Sequence, residues 1–369
     1  MASVTELYPQ PLVEDLANSG LLPSDVRARV AGANEKQATN TPLGVDAYVL
    51  PYHDLNGKVI PFYRLKLLNS PDPDIKYKQL VASGNHLYFP PGLDKLLRHA
   101  KYILLTEGEK KAAAAVKAGF PCVALGGVES WRNRTLTFSK DTQVGESKSG
   151  ALVLKIPAGS EAKEETDSLA TGLKEVIQLS MKNDIPIIIV YDSDFVYGAN
   201  TKEPVRFEVQ RAAATLGFEL RANGVSFNNI RQLVLLPEDP LPEGTKLGLD
   251  DYLLNDSLGP DMLHQAIHDN MRQRTAFPRH PNVRGYVNKK LAKTHISRND
   301  MNALSTAITC DLDINGMRLH CTDDDNMYYF DEKTHKLLKV HFTQYTDFAK
   351  TTFGRKLYDT YGITQGDQR

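Results

Sequence analysis

The pattern of hydrophobic and polar residues divides the chain into three parts. Up to about residue 100, polar stretches punctuated by Pro and Asn surround one alternating segment. Between 101 and 275, short uncharged apolar runs alternate with segments of helical character, which is typical of α/β architecture. After 275 the pattern changes to short strands and helices. We therefore predict an N-terminal subdomain over 1–100, a central domain over 101–275 and a C-terminal module over 276–369.

The alternating segment of the N-terminal part is residues 46–68. Its centre is Asn56-Gly57, a dipeptide suited to the positive φ angles of a tight hairpin turn. The pattern predicts two antiparallel strands, roughly 47–53 and 58–67, in a small α+β subdomain.

The central part begins with the order strand, turn, helix, strand. Residues 102–106 are a short apolar run, 107–111 (EGEKK) are predicted as a turn, and 112–119 (AAAAVKAG) as a helix with Gly119 as its C-cap. A second buried strand follows at 120–127. This βαβ unit favours a right-handed, mostly parallel sheet.

Further elements are predicted along the rest of the chain. Residues 133–165 are rich in Ser, Thr, Gly and Lys and are predicted as an insertion or mobile loop. Helices are predicted near 165–182, 203–216, 297–308 and 346–354, and strands at 185–191, 232–236, 317–321, 327–331 and 337–342. The last two strands form a hairpin through residues 332–335.

Composition and charge exclude several classes of protein. Hydrophobic residues make up 41% and charged residues 24% of the chain, the values of an ordinary soluble globular protein. No apolar run approaches the roughly 20 residues of a membrane span. The N-terminus lacks the features of a secretory signal, and three scattered cysteines suggest a reducing, cytoplasmic location. No GxxxxGK[ST] motif is present, so the chain carries no ATP-driven motor of that type.

Charge is unevenly distributed although the net charge is −1. Two stretches, 52–102 and 270–298, are rich in Lys and Arg, and the second contains no acidic residue. Each alone is typical of a solvated face. Because they flank a region richer in carboxylates, together they indicate a polyanion that runs past an acidic site.

Carboxylates follow two of the predicted buried strands. Glu107 ends the first strand of the central part, and Asp192 and Asp194 follow the strand at 185–191. In open α/β sheets the carboxyl ends of strands form a common binding edge. Carboxylates that converge there raise one another's pKa unless a cation neutralises them, and their hard oxygens favour Mg²⁺ or Mn²⁺. A lone D-x-D is more often structural, but the two signals together, with Asp250 and Asp251 after a third strand, favour a metal site.

These motifs resemble the TOPRIM domain. The order strand–EGE–Ala-rich helix–Gly–strand, then strand–DSD, then LGLDDYL, is similar to the variant found in primase-like replication proteins of phages and plasmids. Upstream, VLPYHDLNGKVIPFYRLKL followed by KYK and LYFP looks like the subdomain that precedes TOPRIM in bacterial primases. The resemblance covers roughly residues 46–255.

The resemblance implies a TOPRIM (Rossmann-like, mostly parallel sheet) core, a preceding small basic α+β subdomain and a following α+β module. It also implies catalytic and metal-binding roles for Glu107, Asp192 and Asp194, with Glu109, Asp250 and Asp251 as auxiliary metal ligands. Nucleic-acid or nucleotide contacts are expected from Arg64, Lys66, Lys76, Lys78, Lys110, Arg132, Lys289 and Lys290. Arg132, beside Trp131, suits a base clamp, although an ordinary hydrophobic anchor explains the tryptophan equally well.

The implied function is primer synthesis on a single-stranded DNA template from nucleoside triphosphates, with Mg²⁺ or Mn²⁺. Two alternatives remain open: a TOPRIM nuclease that uses the same carboxylates, and a non-catalytic nucleic-acid-binding module that recruits a helicase. The module at 276–369 is expected to connect to such a helicase. The chain departs from bacterial primases in two respects. It has no set of Cys and His residues that could form a zinc ribbon, and the position after the EGE motif, which is often acidic in the family, is Lys110.

Overall fold

The structure is a computed structural model. It describes residues 7–80, 83–137, 143–146, 152–155, 163–193, 208–236, 247–273, 276–280, 282–291, 304, 307–309, 311–312, 317–321, 327–331 and 336–340. None of the helices in these ranges combines the length and the apolar character needed to span a bilayer.

The described helices and strands follow one another in an order typical of mixed α/β proteins. The helices are α1 (Gln10–Ala17), α2 (Ala33–Ala38), α3 (Leu93–Leu97), α4 (Glu109–Lys117), α5 (Leu173–Asn183), α6 (Glu208–Ala222), α7 (Leu249–Leu254), α8 (Gly259–Arg272) and α9 (Val283–Leu291), with a 3₁₀ turn at Phe227–Asn229. The strands are β1 (Arg29–Val30), β2 (Ala47–His53), β3 (Val59–Leu67), β4 (Tyr77–Gln79), β5 (Ile103–Glu107), β6 (Cys122–Leu125), β7 (Arg132–Thr137), β8 (Gln143–Glu146), β9 (Leu152–Lys155), β10 (Lys163–Leu169), β11 (Ile187–Ile189), β12 (Ile230–Gln232), β13 (Met317–Cys321), β14 (Met327–Asp331) and β15 (Lys336–Val340).

The chain forms two compact units. The first comprises Met1–Arg206 and Gln232–Arg272, and the second comprises Phe207–Arg231 and Gln273–Arg369. The boundary predicted near residue 100 therefore falls inside the first unit. Helix α6, which was assigned to the central domain, belongs to the second.

The predicted N-terminal hairpin is confirmed. Strands β2 and β3 pair antiparallel inside a four-stranded sheet of order β1-β2-β3-β4. In the connection Gly57 has φ +79°, and the Asp54 carboxylate accepts the backbone N–H groups of Asn56 and Lys58. These local hydrogen bonds determine the turn and therefore the register of the two strands.

One face of this antiparallel sheet is apolar and buried. Its core consists of Ala31, Val45, Ala47, Val49, Leu65 and Leu67, with Tyr63 and Ile75 packed against it. In β3, Leu65 and Leu67 of this core alternate with the partly exposed Arg64 and Lys66, whereas β2 is buried along almost its whole length.

The second sheet is the parallel sheet expected from the βαβ pattern. Its strand order is β12-β11-β5-β6, and β5 pairs parallel with both β11 and β6. The apolar residues Ile103–Leu105 of β5 are all fully buried, as expected for a strand covered on both faces. The chain is thus a mixed α/β protein with one parallel and one antiparallel sheet of four strands each among its described residues.

The prediction that residues 107–111 form a turn was wrong, because Gly108 alone reverses the chain. With φ +89° it connects β5 directly to α4, which begins at Glu109. Ala is the best helix former and its small side chain lets the helix approach the sheet, so Ala112 and Ala115 are completely buried. The predicted C-terminal Gly119 has φ +94°, in agreement with its role after the last turn.

Residues 133–165 were predicted as an insertion or mobile loop, and the loop interpretation was wrong for the described residues, which belong to four strands. Strand β7 pairs antiparallel with β10, and β8 pairs antiparallel with β9. The Thr, Val and Leu residues interspersed among the polar ones favour strands, which the overall composition obscured. Because β10 continues to Leu169, the following helix α5 begins at Leu173 rather than near 165.

The second unit contains the predicted C-terminal strands. Strands β13, β14 and β15 form an antiparallel sheet in that order, so the predicted hairpin is confirmed. In the same unit, helix α6 contacts Phe277 through Phe218: the two rings are stacked, with 5.8 Å between their centroids. The predicted helices at 297–308 and 346–354 lie mostly or wholly outside the described residues.

Candidate functional site

Acidic side chains meet at the carboxyl-terminal edge of the parallel sheet. Glu107 is the last residue of β5, and Asp192 follows β11 on the adjacent strand. The Val190 N–H donates to the Leu105 carbonyl at 2.8 Å, so the two chains remain paired just before they reach this edge. Glu107 and Asp192 are therefore brought together, as the sequence predicts for ends of adjacent parallel strands.

A lysine lies between the two carboxylates. The Nζ of Lys111 donates a hydrogen bond to Oδ1 of Asp192 and lies 3.6 Å from Oε1 of Glu107. The Asp192 side chain is 2% exposed, while those of Lys111 and Glu107 are 17% and 23% exposed. The cluster is thus closed on the Asp192 side and open to solvent on the Glu107 side.

Ser193 connects the edge to helix α7. Its backbone N–H donates to the Leu247 carbonyl at 3.2 Å, and its hydroxyl oxygen accepts the Leu247 N–H at 3.2 Å. This double contact holds the segment that begins α7 beside Asp192. Gly248 follows, and a Cβ added there would lie 3.0 Å from Cε of Lys111.

Two more acids lie on the first turn of α7. The Asp251 carboxylate accepts the Gly248 N–H at 3.0 Å and so caps the helix, and Asp250 accepts the Ser19 hydroxyl at 2.6 Å. Partial burial raises the pKa of Asp251; the Gly248 hydrogen bond opposes this shift, and Asp250 and Asp192 reinforce it. We call Glu107, Lys111, Asp192, Asp250 and Asp251 the edge cluster.

Glu109 belongs to a different group of polar residues. It is 1% exposed, and its Oε1 accepts hydrogen bonds from the Tyr52 hydroxyl at 2.7 Å and from the Arg64 guanidinium at 2.6 Å. Arg64 also donates to the Gly126 carbonyl at 3.2 Å. Burial works against the charge of Arg64, but Glu109 raises the arginine's pKa above its usual value. Both residues are therefore engaged in an internal ion pair rather than directed to the edge.

Asp15 organises a second set of internal contacts. It accepts hydrogen bonds from the Tyr48 hydroxyl at 2.7 Å and, through its backbone carbonyl, from Lys110 at 2.9 Å. Its carboxylate lies 3.2 Å from the Lys110 ammonium and 3.9 Å from that of Lys66. Burial lowers the pKa of Lys66, although Asp15 opposes the shift. We call the combined set the inner network: Asp15, Tyr48, Tyr52, Arg64, Lys66, Glu109 and Lys110.

The remaining candidate residues have different settings in the structure. Lys76 is exposed and Lys78 partly exposed on or beside β4. The Arg132 guanidinium lies 4.8 Å from the centre of the Trp131 ring and 3.5 Å from the Glu129 carboxylate. Lys289 and Lys290 are on α9 in the second unit, where their side chains are not described. Asp194 is outside the described residues.

The edge cluster suits a divalent cation in its chemistry but not in its arrangement. Carboxylate oxygens are the ligands that Mg²⁺ and Mn²⁺ prefer. Among the residues that the structure describes, however, no three or more His, Cys, Asp or Glu side chains are grouped so as to hold a metal ion. The position between Glu107 and Asp192 is taken by the ammonium of Lys111.

Sequence reasoning missed three residues of this site. Lys111 was included only in a predicted turn, although its spacing of four residues from Glu107 is the spacing of neighbours on a helix. Ser193 and Gly248 carry no charge and act through a backbone contact and an absent Cβ. No sequence signal distinguishes them from ordinary turn residues.

The first unit is thus an α/β unit with a lysine-bridged carboxylate cluster at the edge of its parallel sheet. A family model described as "Domain of unknown function (DUF3854)" matches residues 94–158. The match includes β5, α4 and β6, and therefore Glu107 and Lys111, but ends before Asp192. Neither the curated proteins nor the solved structures gave a match to this chain.

Proposed function

We propose that the chain is a nucleotidyltransferase with a TOPRIM-type core that synthesises primers on single-stranded DNA, in replication of the phage or plasmid type. The observation that carries the proposal is the meeting of Glu107, Lys111 and Asp192 at the carboxyl edge of a parallel sheet. The order of motifs around these residues resembles that of primase-like proteins. Nucleoside triphosphates and a template strand are the proposed substrates.

The cluster offers groups that phosphoryl transfer needs. Catalysis of this reaction depends mainly on positioning and on neutralising negative charge. The Lys111 ammonium can donate a hydrogen bond to a phosphate oxygen, a role for which lysine acts as a point charge. Glu107, the more exposed of the two bridged carboxylates, can accept the proton of an attacking 3′-hydroxyl. Mg²⁺ or Mn²⁺ remains part of the proposal through the resemblance alone, and no step is assigned to it.

Basic side chains near the first unit's antiparallel sheet supply the proposed template contacts. Lys76 and Lys78 keep at least part of their surface in solvent. Arg64, Lys66 and Lys110 are engaged with Glu109 or Asp15, so we do not assign them to the template. Contacts of these lysines with phosphates would position the DNA template independently of its base sequence.

The test is an extension assay with the full chain. Single-stranded template is incubated with labelled ribonucleotides or deoxyribonucleotides and with Mg²⁺ or Mn²⁺. Extended products that depend on template support the proposal. Shortened template indicates the nuclease, which would use the same carboxylates to activate water. Template binding without either product indicates the non-catalytic module.

A further inference from the structure

The loop that follows β6 begins beside Glu107. In the parallel pairing of β5 with β6, Glu107 lies opposite Leu125, and the Gly108 N–H donates to the Leu125 carbonyl at 2.8 Å. The loop consists of residues 126–130 (GGVES), which are all partly exposed. We call it the glycine loop. Because parallel strands end on the same side, it lies at the same carboxyl edge of the sheet as Glu107.

The carbonyl groups of the glycine loop are held by donors within the protein. The Arg64 guanidinium donates to the Gly126 carbonyl at 3.2 Å, and the Tyr191 hydroxyl donates to the Val128 carbonyl at 3.4 Å. The Gly127 carbonyl accepts the N–H three residues later at 2.9 Å, which closes a β-turn. Three successive peptide groups therefore direct their oxygen atoms to internal partners.

The N–H groups of the same peptides face the other way. A trans peptide group is planar, with its N–H and C=O on opposite sides, and no peptide bond among the described residues is cis. The N–H groups of Gly127, Val128 and Glu129 therefore point away from the donors that hold the carbonyls. In the described part of the chain, those of Gly127 and Val128 meet no protein acceptor. Successive N–H groups in a turn are a known form of anion site.

The two glycines of the loop differ in what they contact. A Cβ on Gly126 would lie 2.8 Å from Nη1 of Arg64, so glycine is needed there for the contact that orients the Gly126 carbonyl. A Cβ on Gly127 would meet nothing nearer than the Ser130 hydroxyl at 3.4 Å, which is an ordinary contact. The packing of the protein thus leaves space at Gly127, and a phosphate that approaches the backbone closely needs such space.

The carboxylates near the loop are paired with cations. Glu129 lies 3.5 Å from the Arg132 guanidinium, and Glu107 lies 3.6 Å from the Lys111 ammonium. Burial raises the pKa of Tyr191 well above its usual value, and Glu107 and Glu129 raise it further, in agreement with a position close to both carboxylates. The tyrosine hydroxyl therefore stays protonated and remains a donor to the loop.

We infer that the glycine loop binds a phosphate group of the incoming nucleoside triphosphate through the N–H groups of Gly127 and Val128. The inference rests on the proposed function, which supplies the nucleotide. It deepens that function because the loop begins next to Glu107, the carboxylate proposed to accept the proton of the 3′-hydroxyl. Backbone donors within one short turn suit a compact polyphosphate better than an extended nucleic-acid strand.

The test compares two substitutions of Val128. Val128→Pro removes the N–H, and proline is favoured at this second position of a β-turn. Val128→Ala shortens the side chain and keeps the N–H. Binding of ATP to the full chain is measured by isothermal titration calorimetry with EDTA present, so that divalent ions take no part. We expect Val128→Pro to bind ATP about tenfold or more weakly than Val128→Ala, the effect of losing one hydrogen bond to a charged group.

A second pair of variants does not depend on proline. Gly127→Ala places a methyl group where the phosphate would approach and should weaken ATP binding without disturbing the fold. Gly44→Ala, with no atom within 4 Å of the added Cβ, should bind ATP as the parent does. Circular dichroism and the fluorescence of Trp131, the only tryptophan of the chain, show whether each variant is folded.

Equal ATP affinities of folded Val128→Pro and Val128→Ala would overturn the inference, as would unaltered binding by Gly127→Ala or no ATP binding by the parent. A single-stranded oligodeoxynucleotide is titrated in the same way. If Val128→Pro weakens DNA binding and leaves ATP binding intact, the loop contacts the template instead and the inference is wrong.

Extension of primers is measured separately from ATP binding. A chain that binds ATP through the glycine loop but extends no primer contradicts the proposed function alone. A chain that extends primers, and whose ATP affinity is the same in all four variants, contradicts the inference alone.

Discussion

The edge cluster and the inner network each take two residues from the segment 107–111, yet they differ in kind. Glu107 and Lys111 enter the edge cluster, whereas Glu109 and Lys110 enter the inner network. In the inner network each carboxylate is matched by at least one basic side chain and a tyrosine hydroxyl. In the edge cluster Lys111 contacts two carboxylates, of which that of Glu107 is partly exposed. The ion pairs of the inner network join elements of the fold, whereas titratable groups at a solvent-facing edge are what a bound ligand can use.

Asp192→Asn should have the largest effect on activity. The amide keeps the shape of the side chain but removes the charge that holds Lys111 in place. Because electrostatic groups in such sites contribute heavily, we expect extension to fall by about 100-fold or more. Asp184→Asn, an exposed change just before β11, is the matched control and should be neutral. If Asp192→Asn keeps full activity, Asp192 is not part of the proposed active site.

Arg64→Met should have the largest effect on stability. It leaves the buried carboxylate of Glu109 without its cation, and breaking a buried pair costs about 3–5 kcal/mol of unfolding free energy. Urea denaturation followed by circular dichroism measures the loss. Lys58→Met, on the exposed hairpin turn, should change stability by less than about 0.5 kcal/mol. A small loss for Arg64→Met would mean that the inner network contributes little to stability.

Gly248→Ala should perturb the edge cluster alone. The new Cβ would lie 2.9 Å from Oδ1 of Asp250, 3.0 Å from Cε of Lys111 and 3.1 Å from Oδ2 of Asp251. These side chains should therefore shift, and the contact of Lys111 with Asp192 should weaken. We expect the free energy of unfolding to fall by about 1 kcal/mol, since Ala is a poor N-cap residue, and extension to fall by a smaller factor than for Asp192→Asn. Gly44→Ala, with no atom within 4 Å of the added Cβ, is the control. Unaltered extension would show that Gly248 does not position the lysine.

The smallest effect is expected from substitutions of lysines that belong to neither the edge cluster nor the inner network. Lys76→Ala or Lys78→Ala should lower the slope of log affinity against log salt by roughly one unit on duplex DNA, and by less on single strands. The same measurement on Lys289→Ala and Lys290→Ala tests the basic stretch of α9. If the salt dependence of DNA affinity is the same in all four variants as in the parent, these lysines do not contact DNA phosphates and belong only to a solvated surface.

Local chemistry allowed much of the fold to be predicted. Asn56-Gly57 predicted the hairpin because its turn depends on neighbouring residues only, and the uncharged run 102–106 predicted a buried strand. Glu107 and Asp192 could be brought together because the ends of adjacent parallel strands share an edge. Long-range partners could not be predicted. In the sequence Glu109 has the pattern of a metal ligand. Only the structure shows that it pairs with Arg64, which is distant in sequence. The strands within residues 133–165 were missed because the polar composition of that stretch hides them.

The parallel pairing of β5 with β11 has a consequence for how the protein folds. Ile103 pairs with Ile187, and the whole of β6 to β10 lies between them in the sequence. Closing so long a loop is slow relative to forming a hairpin such as β2–β3. During synthesis, every residue of the inner network leaves the ribosome before Asp192 does. The inner network can therefore assemble on the nascent chain while the acids of the edge cluster are still apart, and the edge cluster is completed after it.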